Sequence, residues 1–358
     1  MKLPALTIGD KTAPVPIIQG GMGIGVSRSG LASAVAEQGG VGVISAVQIG
    51  YMEPDFETDH NAANARALEK EIIAARKASP RGILGINVLV AMKSYREVVA
   101  AAVKEKIDLI IAGAGLPTEL PLMIQGSATK IAPIVSSGKA AMLMAKMWDR
   151  KFSYAPDLVI VEGPEAGGHL GFSVQELQAR PLPNLSSIVK EVIAAVKPFA
   201  DKYGKPIPVV AAGGVYTGAD IAEYIKIGAA GVQMATRFVA TEECDAHINF
   251  KMAYVNCTEE DIQLVQSPVG MPGRAIRNEL LRRLESGRIP FKKCYLCLKT
   301  CQPKTTPYCI SRALINAVQG NIDEGLIFAG SNAWRIDGIT TVKQLMQQLV
   351  AEAEAALA

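Results

Sequence analysis

Eight short, almost uninterrupted apolar runs recur along the first 240 residues, each ending in small residues before a helical pattern begins. They are Pro16–Gln19, Val41–Ser45, Ile83–Asn87, Leu109–Ala112, Ile131–Val135, Leu158–Val161, Pro208–Ala211 and Gly231–Met234. A strand apolar on both faces belongs in a parallel sheet covered on both sides, because a sheet wetted on one face alternates instead. Between the runs lie amphipathic stretches at Ser29–Gln38, Ala62–Lys77, Tyr95–Lys106, Ser186–Phe199 and Ala219–Ile227, with the periodicity of helices that bury one face. Eight such units in about 240 residues fit an α/β fold of the TIM (β/α)8 barrel type better than a doubly wound sheet. A six-stranded open sheet, with two runs misassigned, is the competing arrangement.

After Phe238 the rhythm stops. Residues 241–310 read as helical pieces with a loop around Ser267-Pro-Val-Gly-Met-Pro-Gly273 and a cysteine-bearing stretch, so a small appended helical region is expected there. Residues 311–358 form a C-terminal segment whose last part, Thr340–Ala358, is a helix able to return and close the outer layer of a barrel spanning residues 1–240.

Net charge is only +3 and the basic residues are scattered, apart from the pair Arg282-Arg283. That is no footprint for nucleic acid. No stretch offers about 18 uninterrupted apolar residues, and the first ten residues lack a signal-peptide core. A cytoplasmic protein without membrane contact is expected, and a homo-oligomer is compatible with the sequence. Six cysteines without an export signal favour reduced thiols or a metal site over disulfides.

In a (β/α)8 barrel the site forms at the carboxyl ends of the strands. Those ends are small here: Gln19-Gly-Gly-Met-Gly23, Asn87, Gly113-Ala-Gly115, Ser136-Ser-Gly138, Gly167-Gly168, Gly213-Gly214 and Ala235-Thr236. Recurrent glycine lets the backbone approach a flat or anionic ligand. The sharpest signal lies after runs seven and eight, where Gly213, Gly214, Ala235 and Thr236 can offer N–H groups, with a following helix N-terminus, to a phosphate. Flavin phosphate and sugar phosphate fit this equally.

Four motifs in order, Ile18-Gln-Gly-Gly-Met22, Glu162-Gly-Pro-Glu-Ala-Gly-Gly-His169, Ala211-Ala-Gly-Gly214 and Val232-Gln-Met-Ala-Thr-Arg-Phe238, resemble the nitronate monooxygenase family, formerly 2-nitropropane dioxygenases. That family also contains flavin-dependent enoyl-acyl-carrier-protein reductases. The resemblance covers about residues 14–250, resuming at Gly273-Arg-Ala-Ile-Arg-Asn278 and weakly at Phe328-Ala-Gly330.

The resemblance implies non-covalent FMN at the barrel mouth. Gly20, Gly21 and Met22 would line its ring, with Asn87, Gln233, Met234 and Ala212 beside it and Glu162 close by. Gly167 and Gly168 would permit close approach, and Gly213, Gly214, Ala235 and Thr236 would take the phosphate. His169, titrating near neutrality, would be the acid–base residue. Two reactions follow: oxidation of a small alkyl nitronate with oxygen, the first expectation, or reduction of an enoyl thioester with NAD(P)H. A phosphosugar-binding barrel is the third reading. His247 and His60 are expected to be structural and exposed, respectively, and Lys139 a solvated helix start. The methionines of Ala141-Met-Leu-Met-Ala-Lys-Met147 read as core packing. Cys294, Cys297, Cys301 and Cys309, spaced C-x2-C-x3-C-x7-C, suit zinc or an iron–sulfur cluster, but no metal ligand is assigned.

Overall fold

The computed structural model describes all 358 residues. A hairpin of β1 (Leu6–Ile8) and β2 (Lys11–Ala13) precedes eight parallel strands that close into a barrel. These are β3 (Ile17–Gln19), β4 (Val41–Ser45), β5 (Ile83–Leu89), β6 (Leu109–Gly113), β7 (Lys130–Val135), β8 (Val159–Glu162), β10 (Val209–Ala212) and β11 (Gly231–Met234), while β9 (Gly168–His169) lies outside the barrel. Each expected run is a barrel strand, and β11 pairs with β3 to complete the ring. The open-sheet alternative is therefore excluded.

Alternation within the strands divides the core. Ile18, Val41, Val43, Leu109, Ile111, Ile160 and Val210 fill the barrel interior together with Leu6 and Ile8 of the first hairpin. Neighbours on the other face, such as Ile44, Ile86 and Ile110, pack under the helices. The C-terminal helix Val342–Leu357 lies against the helices Gly218–Lys226 and Ser29–Glu37, so it occupies the last outer place, as its amphipathic pattern suggests. Its Glu352 carboxylate accepts the Gly218 N–H at 2.8 Å.

The segment after Phe238 differs from the helical region expected. It contains the helices Ile248–Asn256 and Glu279–Glu285, but between them runs a hairpin of β12 (Ile262–Gln266) and β13 (Pro272–Ile276). β13 also pairs with β9, giving a three-stranded antiparallel sheet above the barrel mouth. Among the methionines of the helix Gly138–Phe152, only Met144 is fully buried; Met142 is exposed. The helix is amphipathic, and Met142 falls on its wet face.

Candidate active site

The strand ends surround a cavity of about 250 Å³. Its lining includes Gly20, Gly21, Met22, Asn87, Glu162, Gly167, Gly168, His169, Ala212, Gly213, Gly214, Gln233, Met234, Ala235 and Thr236. All fifteen candidate residues thus meet at one place. Lys139 is exposed and outside it. His247 caps the helix Ile248–Asn256 by accepting the Asn249 N–H. His60, expected to be exposed, is half-buried against Phe56 and Tyr295.

One end of the cavity is made of backbone. Gly213 and Gly214 have φ of +92° and +86°, a turn that residues with a side chain avoid. Their N–H groups, and that of Ala235, bond to no protein acceptor. Asn332 Nδ2 holds the turn by donating to the Gly214 carbonyl at 2.8 Å. The helix Gly218–Lys226 does not complete this cradle. Its leading N–H groups are occupied, those of Tyr216 and Thr217 by Asp220 and that of Gly218 by Glu352.

Towards the barrel axis, Gln233 Oε1 and Ser45 Oγ are buried without a partner, and both residues line the cavity. A buried orphan acceptor is costly unless a ligand answers it. Free amides at one end and unanswered polar atoms at the other fit a flat, hydrogen-bonding group that carries a phosphate.

The opposite wall is the cap. His169 stands on β9, its ring edge-on to Phe328 with centroids 5.0 Å apart. Its Nε2 is 2.7 Å from Ser267 Oγ at the end of the hairpin. Ser267 is 3 % exposed, and its oxygen already accepts the Val269 N–H at 3.2 Å. Its own proton has only His169 Nε2 to go to, so Nε2 accepts and Nδ1 carries the imidazole proton. Arg274, on β13, donates to the carbonyls of Pro164 and Ala166 at 2.8 and 2.5 Å, tying the loop before His169 to the hairpin.

Burial pushes His169 down to about 4. The ring is therefore neutral at pH 7, where the sequence alone suggested a group titrating near neutrality. Burial likewise pushes Glu162 up to about 7, against the N–H of Gly171, which lowers it. Desolvation disfavours each charged form and so moves the two pKa values toward and past one another. Glu162 is the member that titrates near neutrality.

Sequence reasoning missed Ser267, the apolar wall of Leu89, Ile134, Met271, Leu314 and Leu326, and the carbonyl-bound Tyr254. The alternating start of Ile262-Gln-Leu-Val-Gln266 was the available signal for the hairpin that carries Ser267.

Residues 7–352 match the family model described as nitronate monooxygenase. The chain belongs to the nitronate monooxygenase family. It is an oxidoreductase, and no helix is long and apolar enough to cross a membrane. A probable nitronate monooxygenase of Staphylococcus saprophyticus is 28% identical over 79% of this chain and 81% of its own length. A (3aS,4S,5R,7aS)-5-hydroxy-7a-methyl-1-oxo-octahydro-1H-indene-4-carboxyl-CoA dehydrogenase of Rhodococcus jostii is 26% identical over 94% of this chain and 92% of its own. Among solved structures, FabK from Thermotoga maritima superposes with a TM-score of 0.73 at 27% identity, covering 96% of this chain and 94% of that one.

Proposed function

We propose that this family member is an FMN-dependent reductase of an uncharged, conjugated acyl thioester. The observation that carries the substrate choice is the charge of the cavity: none of its 35 lining residues is lysine or arginine, while Glu162 and Glu165 are there. An alkyl nitronate is an anion and would enter a cavity that has no cationic side chain to meet it. A neutral thioester meets no such cost, and the wall of Leu89, Ile134, Met271, Leu314 and Leu326 suits an acyl chain. The similarity to a carboxyl-CoA dehydrogenase over nearly the whole chain supports the same choice.

In this reading Gly213, Gly214, Ala235 and Thr236 hold the cofactor phosphate. Gly20, Gly21, Met22, Asn87, Gly167, Gly168, Ala212, Gln233 and Met234 bound its ring. When present, FMN would pass two electrons from NAD(P)H to the substrate double bond. His169 Nδ1–H donates to the thioester carbonyl oxygen, where negative charge develops as the double bond is reduced. Glu162, protonated up to about pH 7, can supply a proton inside the cavity. The cap shields both from water.

The nitronate reading is supported by the match to the nitronate monooxygenase family model and by the probable nitronate monooxygenase among the relatives. An anaerobic titration separates the two. Bleaching of bound flavin by NAD(P)H, reversed by an enoyl thioester, is the expected result. Bleaching by an alkyl nitronate alone would replace the proposal with the monooxygenase. A colourless protein that takes up no FMN would overturn both and favour a sugar-phosphate ligand.

A further inference from the structure

From Ser286 to Cys309 the chain forms no helix or strand beyond a single bridge residue. A stretch this long is unusual inside a compact fold unless it serves a function. It is nonetheless fixed on the barrel mouth. Lys93 N–H donates to the Cys297 carbonyl at 3.1 Å and Lys299 N–H to that of Ala91 at 2.9 Å, around the bridge between Met92 and Leu298. Within the loop, Ile289 N–H donates to Pro307 at 2.8 Å.

The loop carries four of the six cysteines, Cys294, Cys297, Cys301 and Cys309, all free and partly buried. They are gathered in space as well as in sequence. Cys297 lies within electrostatic reach of the other three, and Cys309 within reach of Cys294 and Cys301. Main-chain N–H groups reach two of the four sulfurs. Leu296 takes the left-handed conformation, φ +48°, and its N–H donates to Cys294 Sγ at 3.4 Å. Cys309 is the N-cap of the helix Ile310–Val318, where the amides of Ser311 and Arg312 face its sulfur. Between Ser286 and Arg312 stand Arg288, Lys292, Lys293, Lys299, Lys304 and Arg312, with no Asp or Glu. Backbone N–H groups at sulfur and nearby cations tune thiolate clusters in general.

No three His, Cys, Asp or Glu side chains converge as a single ion requires. Around one zinc ion at about 2.3 Å, the sulfurs would nearly touch. In a cluster each cysteine binds a different iron, so its sulfurs stand farther apart around a larger core. Four cysteines that neighbour one another in one loop without converging on a point suit the second arrangement. We propose that Cys294, Cys297, Cys301 and Cys309 hold a four-iron, four-sulfur cluster that staples this loop to the barrel mouth. The site is separate from the cofactor cavity and does not depend on the substrate reading.

The test is anaerobic reconstitution of the full chain with ferrous iron and sulfide, followed by metal, acid-labile sulfide and electron paramagnetic resonance analysis after reduction. About four iron and about four sulfide per chain are expected. Cys301→Ser and Cys309→Ser should lose the iron, while Cys257→Ala, a buried thiol outside the loop, should keep it. Iron content of the unaltered chain decides the matter if the variants fail to fold. Binding of zinc in preference to iron, or a folded chain that takes up no iron, would overturn the proposal.

Discussion

The floor and the roof of the cavity are built in opposite ways. The floor consists of barrel strand ends that offer main-chain groups: the amides of Gly213, Gly214 and Ala235, held by a closed ring of parallel strands. The roof offers side chains, with His169, Ser267, Met271 and Phe328 coming from a three-stranded sheet and the segment beside it. Main-chain recognition depends on conformation and suits a group that never changes. Side-chain recognition can be rewritten one residue at a time, so the roof is where contacts to a substrate can change most readily.

The contrast is tested most severely at Gly213. A Cβ there would lie 3.0 Å from the Ala166 nitrogen and 3.1 Å from the Gly163 oxygen, at φ +92°. Gly213→Val is expected to purify folded but without flavin, read from absorbance and circular dichroism. Full flavin retention would remove the phosphate from this turn. In the roof, His169→Ala should leave flavin bound and lower turnover by about 10²–10⁴-fold, the range for a lost proton-handling group. Loss of flavin in that variant would erase the division between floor and roof.

The same division decides what was legible in the sequence. Parallel strands buried on both faces leave continuous apolar runs, and the glycines at their ends are needed one by one, so both barrel and floor could be read residue by residue. The roof left weaker marks. β9 is only two residues long, Gly168-His169, and exists because β13 pairs with it. Such a strand has no period to detect. Ser267 sits in Ser-Pro-Val-Gly-Met-Pro-Gly, whose turn residues hide the flanking strands. Nor could composition show that His169 would be desolvated, because that depends on Phe328, about 160 residues away in the chain.

Ser267 gives a finer test of the roof. Ser267→Ala removes the donor that fixes Nε2 as an acceptor, and turnover should fall about tenfold, the worth of one hydrogen bond, with flavin content unchanged. Nitrogen resonances of the imidazole should shift from a single Nδ1–H tautomer to a mixture, and Ser267→Thr should restore both. An unchanged tautomer would mean that the loop, not the hydroxyl, orients the ring.

The smallest effect is on stability against pH, measured on flavin-free protein. Glu162 titrates at about 7 in the fold against 4.5 ordinarily, so between those values the folded chain holds a proton the unfolded chain has lost. Stability then falls as pH rises. His169 titrates at about 4 against 6.5, so there the unfolded chain holds the extra proton and stability rises with pH. From 4.5 to 6.5 the two slopes oppose; above 6.5 only the Glu162 slope remains. Glu162→Gln should therefore make the melting temperature climb more steeply with pH across this window than in the parent chain, and His169→Ala should make it fall. Since one residue belongs to a barrel strand and the other to the roof, parallel curves for the two variants would mean that the cavity does not desolvate both.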